Sequence, residues 1–150
     1  MSISKYVSEV KHIYSKPEVV FNYLSNFENL SKYINEGLLQ KITAQIPQVT
    51  ISNFESDHDS CRFKISGLGL AEIKIVEREP FSKIKVESGG KLPLSIIFWV
   101  QLLPSGEFQS KMRLTLHADM STMIKMMAGK KLAEGINQLA DTLARLPYND

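Results

Sequence analysis

The chain has 150 residues, 43% of them apolar and 23% charged, which is enough to bury one core and too apolar for a disordered segment. Eighteen basic residues against sixteen acidic ones leave a net charge of +2, a balance that argues against nucleic acid as a partner. The single cysteine, Cys61, excludes a disulfide framework, and the longest apolar run, "LPLSIIFWVQLL", is interrupted by Pro93, Ser95 and Gln101 and is too short to cross a bilayer.

The opening, "MSISKYVSEV", carries Lys5 and Glu9 and lacks a signal-peptide core, so a soluble, cytoplasmic protein with no integral membrane segment is expected. Residues 3–14 are β-rich and are predicted to form a strand. Their apolar positions Val7, Val10 and Ile13 are spaced by threes, which strict alternation does not allow. A bulge reconciles them and leaves the facing of this strand's side chains open, His12 included. Ser15 with Glu18 then reads as a capping box, with Pro17 in the first turn, for a short helix whose inner face is Val20, Phe21 and Leu24. "NFENLSKYI" predicts a second short helix, capped by Asn26 and apolar at Phe27, Leu30 and Ile34, and Gly37 is expected to close that region.

From Lys41 to Asp119 the pattern is β. "CRFKIS" sets Cys61, Phe63 and Ile65 against Arg62, Lys64 and Ser66; "AEIKI" sets Ala71, Ile73 and Ile75 against Glu72 and Lys74. "KIKVE" and "KMRLTLHA" alternate in the same way, the latter with Met112, Leu114 and Leu116 on its apolar side. One buried face and one wet face mark an antiparallel sheet. Turns are expected at Asp57–Ser60, Gly67–Gly69, Glu79–Ser82, Gly89–Gly90 and Pro104–Glu107, which divides the region into six consecutive strands.

The last element starts at a cap on Asp119 or Ser121 and runs to about Leu146, before Pro147. Its second half carries the stripe Leu132, Ile136, Leu139 and Leu143. Extended backwards, that stripe meets Lys125, Ala128 and Gly129, so Met123, Met126 and Met127 project from a different side. The helix must bend near Gly129 or bury two faces.

The order β-α-α-β6-α, with the "SKPEVVFNYLSN" opening, "EREP" between two strands and the long final helix, resembles the START and birch-pollen-allergen-like superfamily, whose bacterial members are often labelled polyketide cyclase or lipid-transport proteins. The resemblance covers the whole chain, 1–150, as one domain. It implies an α+β helix-grip fold: a curved seven-stranded antiparallel sheet around a long C-terminal helix, two short helices after strand 1, and a hydrophobic cavity between sheet and helix. It brings no universal catalytic residues and no cofactor, and it does not specify an oligomeric state.

The residues agree in offering little catalytic chemistry. "GLGL" at 67–70 lacks the third glycine and the strand–loop–helix context of a dinucleotide motif. His12, His58 and His117 are far apart and have no second ligand type at metal spacing. Cys61 falls on an apolar face without a basic partner. His12, Tyr14, Tyr33, Asn53 and Gln101 are the polar groups with a chance of facing a cavity, each more naturally a satisfied structural group. Trp99 depends on the hairpin that follows it. A two- or four-residue connection turns Trp99 inward, opposite Met112, whereas three or five residues send Phe98 in; the inward Trp99 is the preferred reading.

The expected function is binding, transport or sensing of an apolar or amphipathic small molecule between sheet and C-terminal helix. Phe21, Phe63, Ile73, Trp99, Met112, Leu114, Met123 and Met127 are expected to line the ligand site. No catalytic or metal-ligating residue is assigned. A polyketide cyclase-like enzyme using the same cavity and a co-chaperone-like interaction module with a methionine-rich surface are the alternatives.

Overall fold

Alternating segments pair and periodic ones coil in a computed structural model that describes residues 2–33, 36–44, 50–66, 69–90 and 94–148. The elements are β1 (Ser2–Val7), β2 (Lys11–Ile13), α1 (Pro17–Leu24), α2 (Phe27–Leu30), α3 (Glu36–Thr43), β3 (Ile51–Ser56), β4 (Ser60–Ile65), β5 (Gly69–Glu79), β6 (Lys83–Gly90), β7 (Leu94–Pro104), β8 (Ser110–Met120) and α4 (Thr122–Ala144). One curved sheet runs in the order β1-β8-β7-β6-β5-β4-β3, every pairing antiparallel, with β2 continuing the β1 edge along β8. The six consecutive strands are β3 to β8. The expected first strand is β1 and β2 together.

The break between those two segments is the bulge that the spacing of Val7, Val10 and Ile13 demanded. Val7 pairs with Thr115 and Lys11 with Met112, so four steps on one side match three on the other. Ser8 fills the gap: its N–H donates to the Leu114 carbonyl and its hydroxyl accepts the Leu114 N–H, both at 2.9 Å. Facing follows from this. Ser4, Ser8 and Ile13 are buried, while Val7, Val10 and His12 are exposed.

Three local expectations are corrected. The first helix has no capping box: Lys16 is its N-cap without a side-chain bond, Pro17 supplies the preset first turn, and Ser15 is buried, its carbonyl accepting the Ser110 hydroxyl at 2.6 Å. Gly37 does not close the helical region, because it lies in the first turn of α3. Gly89 and Gly90 belong to β6, opposite Glu72 and Ala71. Asn26 does cap α2, accepting the Glu28 N–H, and Ser121 rather than Asp119 caps α4. Ile34 and the turn residues Gly67 and Leu68 lie outside the described residues.

The core joins Val20, Phe21 and Leu24 of α1 with the inner face of the sheet and with Ile136, Ala140 and Leu143 of α4. The second half of α4 is tied to the β1–β2 edge: Lys11 pairs with Asp141 at 2.6 Å, and the Glu9 N–H donates to Asn137 Oδ1 at 2.9 Å. At the opposite corner, Arg78 of the "EREP" segment donates from Nε and Nη2 to the Ser25 carbonyl, at 3.2 and 2.9 Å, and pairs with Asp59 at 2.7 Å. One guanidinium thus joins the α1–α2 junction to the β3–β4 turn. Among the described residues no helix is long and apolar enough to cross a membrane.

Candidate functional site

Side chains on the inner face of the sheet differ in how fully they are covered. At one end Ile84, Leu102 and Met112 are sealed. At the other end, where β8 hands over to α4 through Ser121, Ala71, Ala118 and Met120 are buried as well, and four larger side chains among them are not. Ile65, Ile73, Ile96 and Phe98 pack against the core and still keep part of their surface open. Their facing is fixed by register. Phe98 lies opposite Leu116 and Val86, Ile96 opposite Ala118, and Ile73 opposite Cys61, all partners that are buried. Phe54 stacks on Phe63, centroids 6.2 Å apart, at the β3 side of the same region.

Two helices bound this end. α3 reaches β3, where Gln40 Nε2 donates to the Ile51 carbonyl at 2.9 Å, and it also approaches α4. α4 passes close to β1: a side chain at Gly129 would meet the Tyr6 hydroxyl at 3.3 Å. Glycine there lets the phenol lie against the helix. The Tyr6 hydroxyl makes no hydrogen bond among the described residues, which leaves a polar group beside the partly open apolar wall.

The sequence-predicted residues divide into five sets, with Trp99 alone in the last. Phe63 and Ile73 lie on the inner wall, Phe63 the more deeply buried. Phe21, Met112 and Leu114 are inward and sealed, Met112 and Leu114 at 1% and 0% exposure, so they form the packed floor beneath that wall. Met123 is 71% exposed and Met126 83%, on the outside of the first turns of α4. The side chain of Met127 lies outside the described residues.

Trp99 is the correction. The strands extend to the Pro104–Ser110 pair, so the connection is the five residues 105–109, and Trp99 stands opposite Thr115 on the outer face. Phe98 takes the inward place. Outside, Trp99 meets His117 edge to face, centroids 4.7 Å apart, and Lys85 Nζ lies 5.9 Å from its ring. Lys5, Val7, Lys83, Gln101, Arg113 and Thr115 complete a recess of about 290 Å³ around it.

Tyr33 packs half-buried against the core, and the other four polar candidates are placed elsewhere. Tyr14 and His12 are exposed, Gln101 is on the outer face, and Asn53 sits at the β3 bulge with positive φ, a conformation asparagine tolerates. Cys61 is buried beside that inner wall, and burial pushes its thiol up to about 12, which removes thiolate chemistry at neutral pH. Among the described residues no group of three metal-ligating side chains converges. Sequence reasoning missed Tyr6, Ile96 and Phe98. The two on β7 would have followed from a five-residue loop. Tyr6 had no apolar-parity signal, because its inward neighbours are Ser4 and Ser8.

No protein-family model and no curated protein sequence matches the chain. Solved structures do. Protein Mll3558 from Rhizobium loti is similar with a TM-score of 0.63 at 16% identity, over 96% of this chain and 98% of that one. A START superfamily protein from Mycobacterium smegmatis is similar with a TM-score of 0.56 at 13% identity, over 95% and 94%. Norcoclaurine synthase from Thalictrum flavum, in complex with dopamine and hydroxybenzaldehyde, is similar with a TM-score of 0.57 at 9% identity, over 96% and 86%. Likenesses of this depth concern architecture: the chain has the helix-grip fold of the START and birch-pollen-allergen-like superfamily.

Proposed function

We propose that the chain binds an apolar or amphipathic small molecule between the inner face of the sheet and the first half of α4. The observation that carries this reading is a set of inward apolar side chains, Ile65, Ile73, Ile96 and Phe98, that stay partly open while Ile84, Leu102 and Met112 on the same face are sealed. Fully burying one such side chain is worth about 1.5–3 kcal/mol, so a cluster of inward apolar residues left unfinished fits a wall that an apolar occupant completes. Phe63, Ile73, Ile96 and Phe98 are the contacts, and the Tyr6 hydroxyl is the polar handle that admits an amphipathic molecule. Met123 and Met126 form a flexible rim at the start of α4. The norcoclaurine synthase complex supports a small organic occupant for a protein of this fold.

Native mass spectrometry of the purified protein, before and after organic extraction, tests this. The expected spectrum shows a non-covalent adduct that extraction removes and that a medium-chain fatty acid replaces at one-to-one stoichiometry. A bare protein mass that takes up no fatty acid contradicts it.

The exposure of Met123 and Met126 favours a second reading, in which the start of α4 docks a protein partner. That reading replaces the first if fatty-acid uptake is absent and the Met123→Ala/Met126→Ala variant loses a co-purifying protein.

A further inference from the structure

The outer face of the sheet has a chemistry of its own. Its recess lies across three cross-strand rungs: Lys5–His117–Ile97–Glu87, Val7–Thr115–Trp99–Lys85, and Arg113–Gln101–Lys83. Thr115 is the small, buried residue between Val7 and Trp99, so it forms a floor with taller neighbours on each side. No acidic side chain lines the recess. Lys83 is neutralised by Glu79 at 3.1 Å and Lys85 by Glu87 at 3.5 Å, whereas Lys5 and Arg113 have no carboxylate partner among the described residues. Asp119, the next acidic residue on that face of β8, stands one rung away, between Ile3 and Ser95.

Arg113 is also held in place. Its Nε donates to Gln101 Oε1 at 3.1 Å, and the same oxygen accepts the Thr115 hydroxyl at 3.0 Å. The bond to Nε leaves the terminal nitrogens free for a planar anion. We propose that this recess is a second binding site, separate from the interior, for a small aromatic anion whose ring lies against Trp99 and whose carboxylate or phosphate meets Arg113 and Lys5. The two features are needed together: an exposed ion pair alone is weak, and one ring contact alone buries little area.

Trp99 is the single tryptophan of the chain, so its emission reports on this recess directly. The probe is benzoate at low ionic strength, with inorganic phosphate and benzyl alcohol as the charge-only and ring-only controls. Benzoate is expected to change Trp99 emission saturably, and neither control does so in the same range. Arg113→Gln weakens benzoate binding about tenfold, as a lost charge-assisted hydrogen bond does, and Lys5→Gln weakens it less. Added salt weakens it in the unmodified protein. Far-ultraviolet circular dichroism checks folding; if Arg113→Gln fails to fold, Lys5→Gln carries the comparison. The proposal is overturned by no saturable signal, by a benzoate response that survives both substitutions, or by a dimer in sedimentation that buries Trp99.

Discussion

Phe98 and Leu116 face each other across β7 and β8 on the inner side of the sheet, and this pairing puts Trp99 and Thr115 outside. The pleat alternates strictly, so adjacent aromatic residues serve two surfaces of opposite character. Phe98 is a partly open apolar residue packed against the core, and Trp99 belongs to a cationic recess.

The stripe on α4 sets the first expectation. Ile136 is buried in the core, whereas Met123 is 71% exposed on the same helix. Ile136→Ala should cost about 2–5 kcal/mol through lost burial and a cavity. Met123→Ala should stay within about 0.5 kcal/mol of the unmodified protein. Denaturant midpoints measure both, and equal midpoints would contradict the assignment of the two faces.

Much of this arrangement was legible in the residues. The six strands followed from alternation, the α1 face from Val20, Phe21 and Leu24, and the α4 stripe from Ile136 and Leu143, because one-sided burial writes its period into the chain. What escaped depended on register or on brevity. The side taken by Trp99 hung on whether the hairpin has four or five residues, and one residue exchanges the faces. The bulge at Ser8 turned polar Ser4 and Ser8 inward and left Val7 outside, against simple hydrophobicity. α3 is a single amphipathic stretch, "EGLLQKIT", with a glycine in its first turn, too short for periodicity to outweigh that breaker. Of the expected ligand residues, parity identified Phe63 and Ile73 as inward, but how fully each inward side chain is covered, which separates part-open Ile73 from sealed Met112 and Leu114, has no sequence signature.

Arg78 is the next test. Its fork on the Ser25 carbonyl joins segments 53 positions apart, and its side chain is only 31% exposed. Arg78→Lys keeps a charge for Asp59 but cannot reproduce the two-pronged bond, so it should cost about 1–2 kcal/mol, and Arg78→Ala should cost more. Thermal or urea unfolding reads the difference. Indistinguishable stability of all three proteins would show that this junction is not held by the guanidinium.

Acid sensitivity follows from carboxylates at both of the tied corners. The His58 ring nitrogen at 2.8 Å and Arg78 hold Asp59 below its ordinary value, the Asp59 backbone N–H does the same for Asp57, and Lys11 does so for Asp141. A depressed folded-state value means that the unfolded chain binds more protons. The contribution is therefore complete above the ordinary aspartate value of about 3.9 and is lost as pH falls through the lower folded values. Urea midpoints should be flat near neutrality and fall below about pH 4, with a shallower fall for Asp59→Asn. Midpoints that stay constant to about pH 2.5 would contradict the ion-pair assignment.

The most direct test of the interior site moves the fluorophore across the sheet. In the Phe98→Trp/Trp99→Phe double variant the only indole lies on the inner wall, while in the unmodified protein it lies outside. Titration of both with a medium-chain fatty acid should give a saturable blue shift in the double variant and little change in the unmodified protein, because only the inner indole borders the apolar occupant. A double variant that folds and shows no saturable response, or an unmodified protein that responds as strongly, would contradict a ligand site between the sheet and α4.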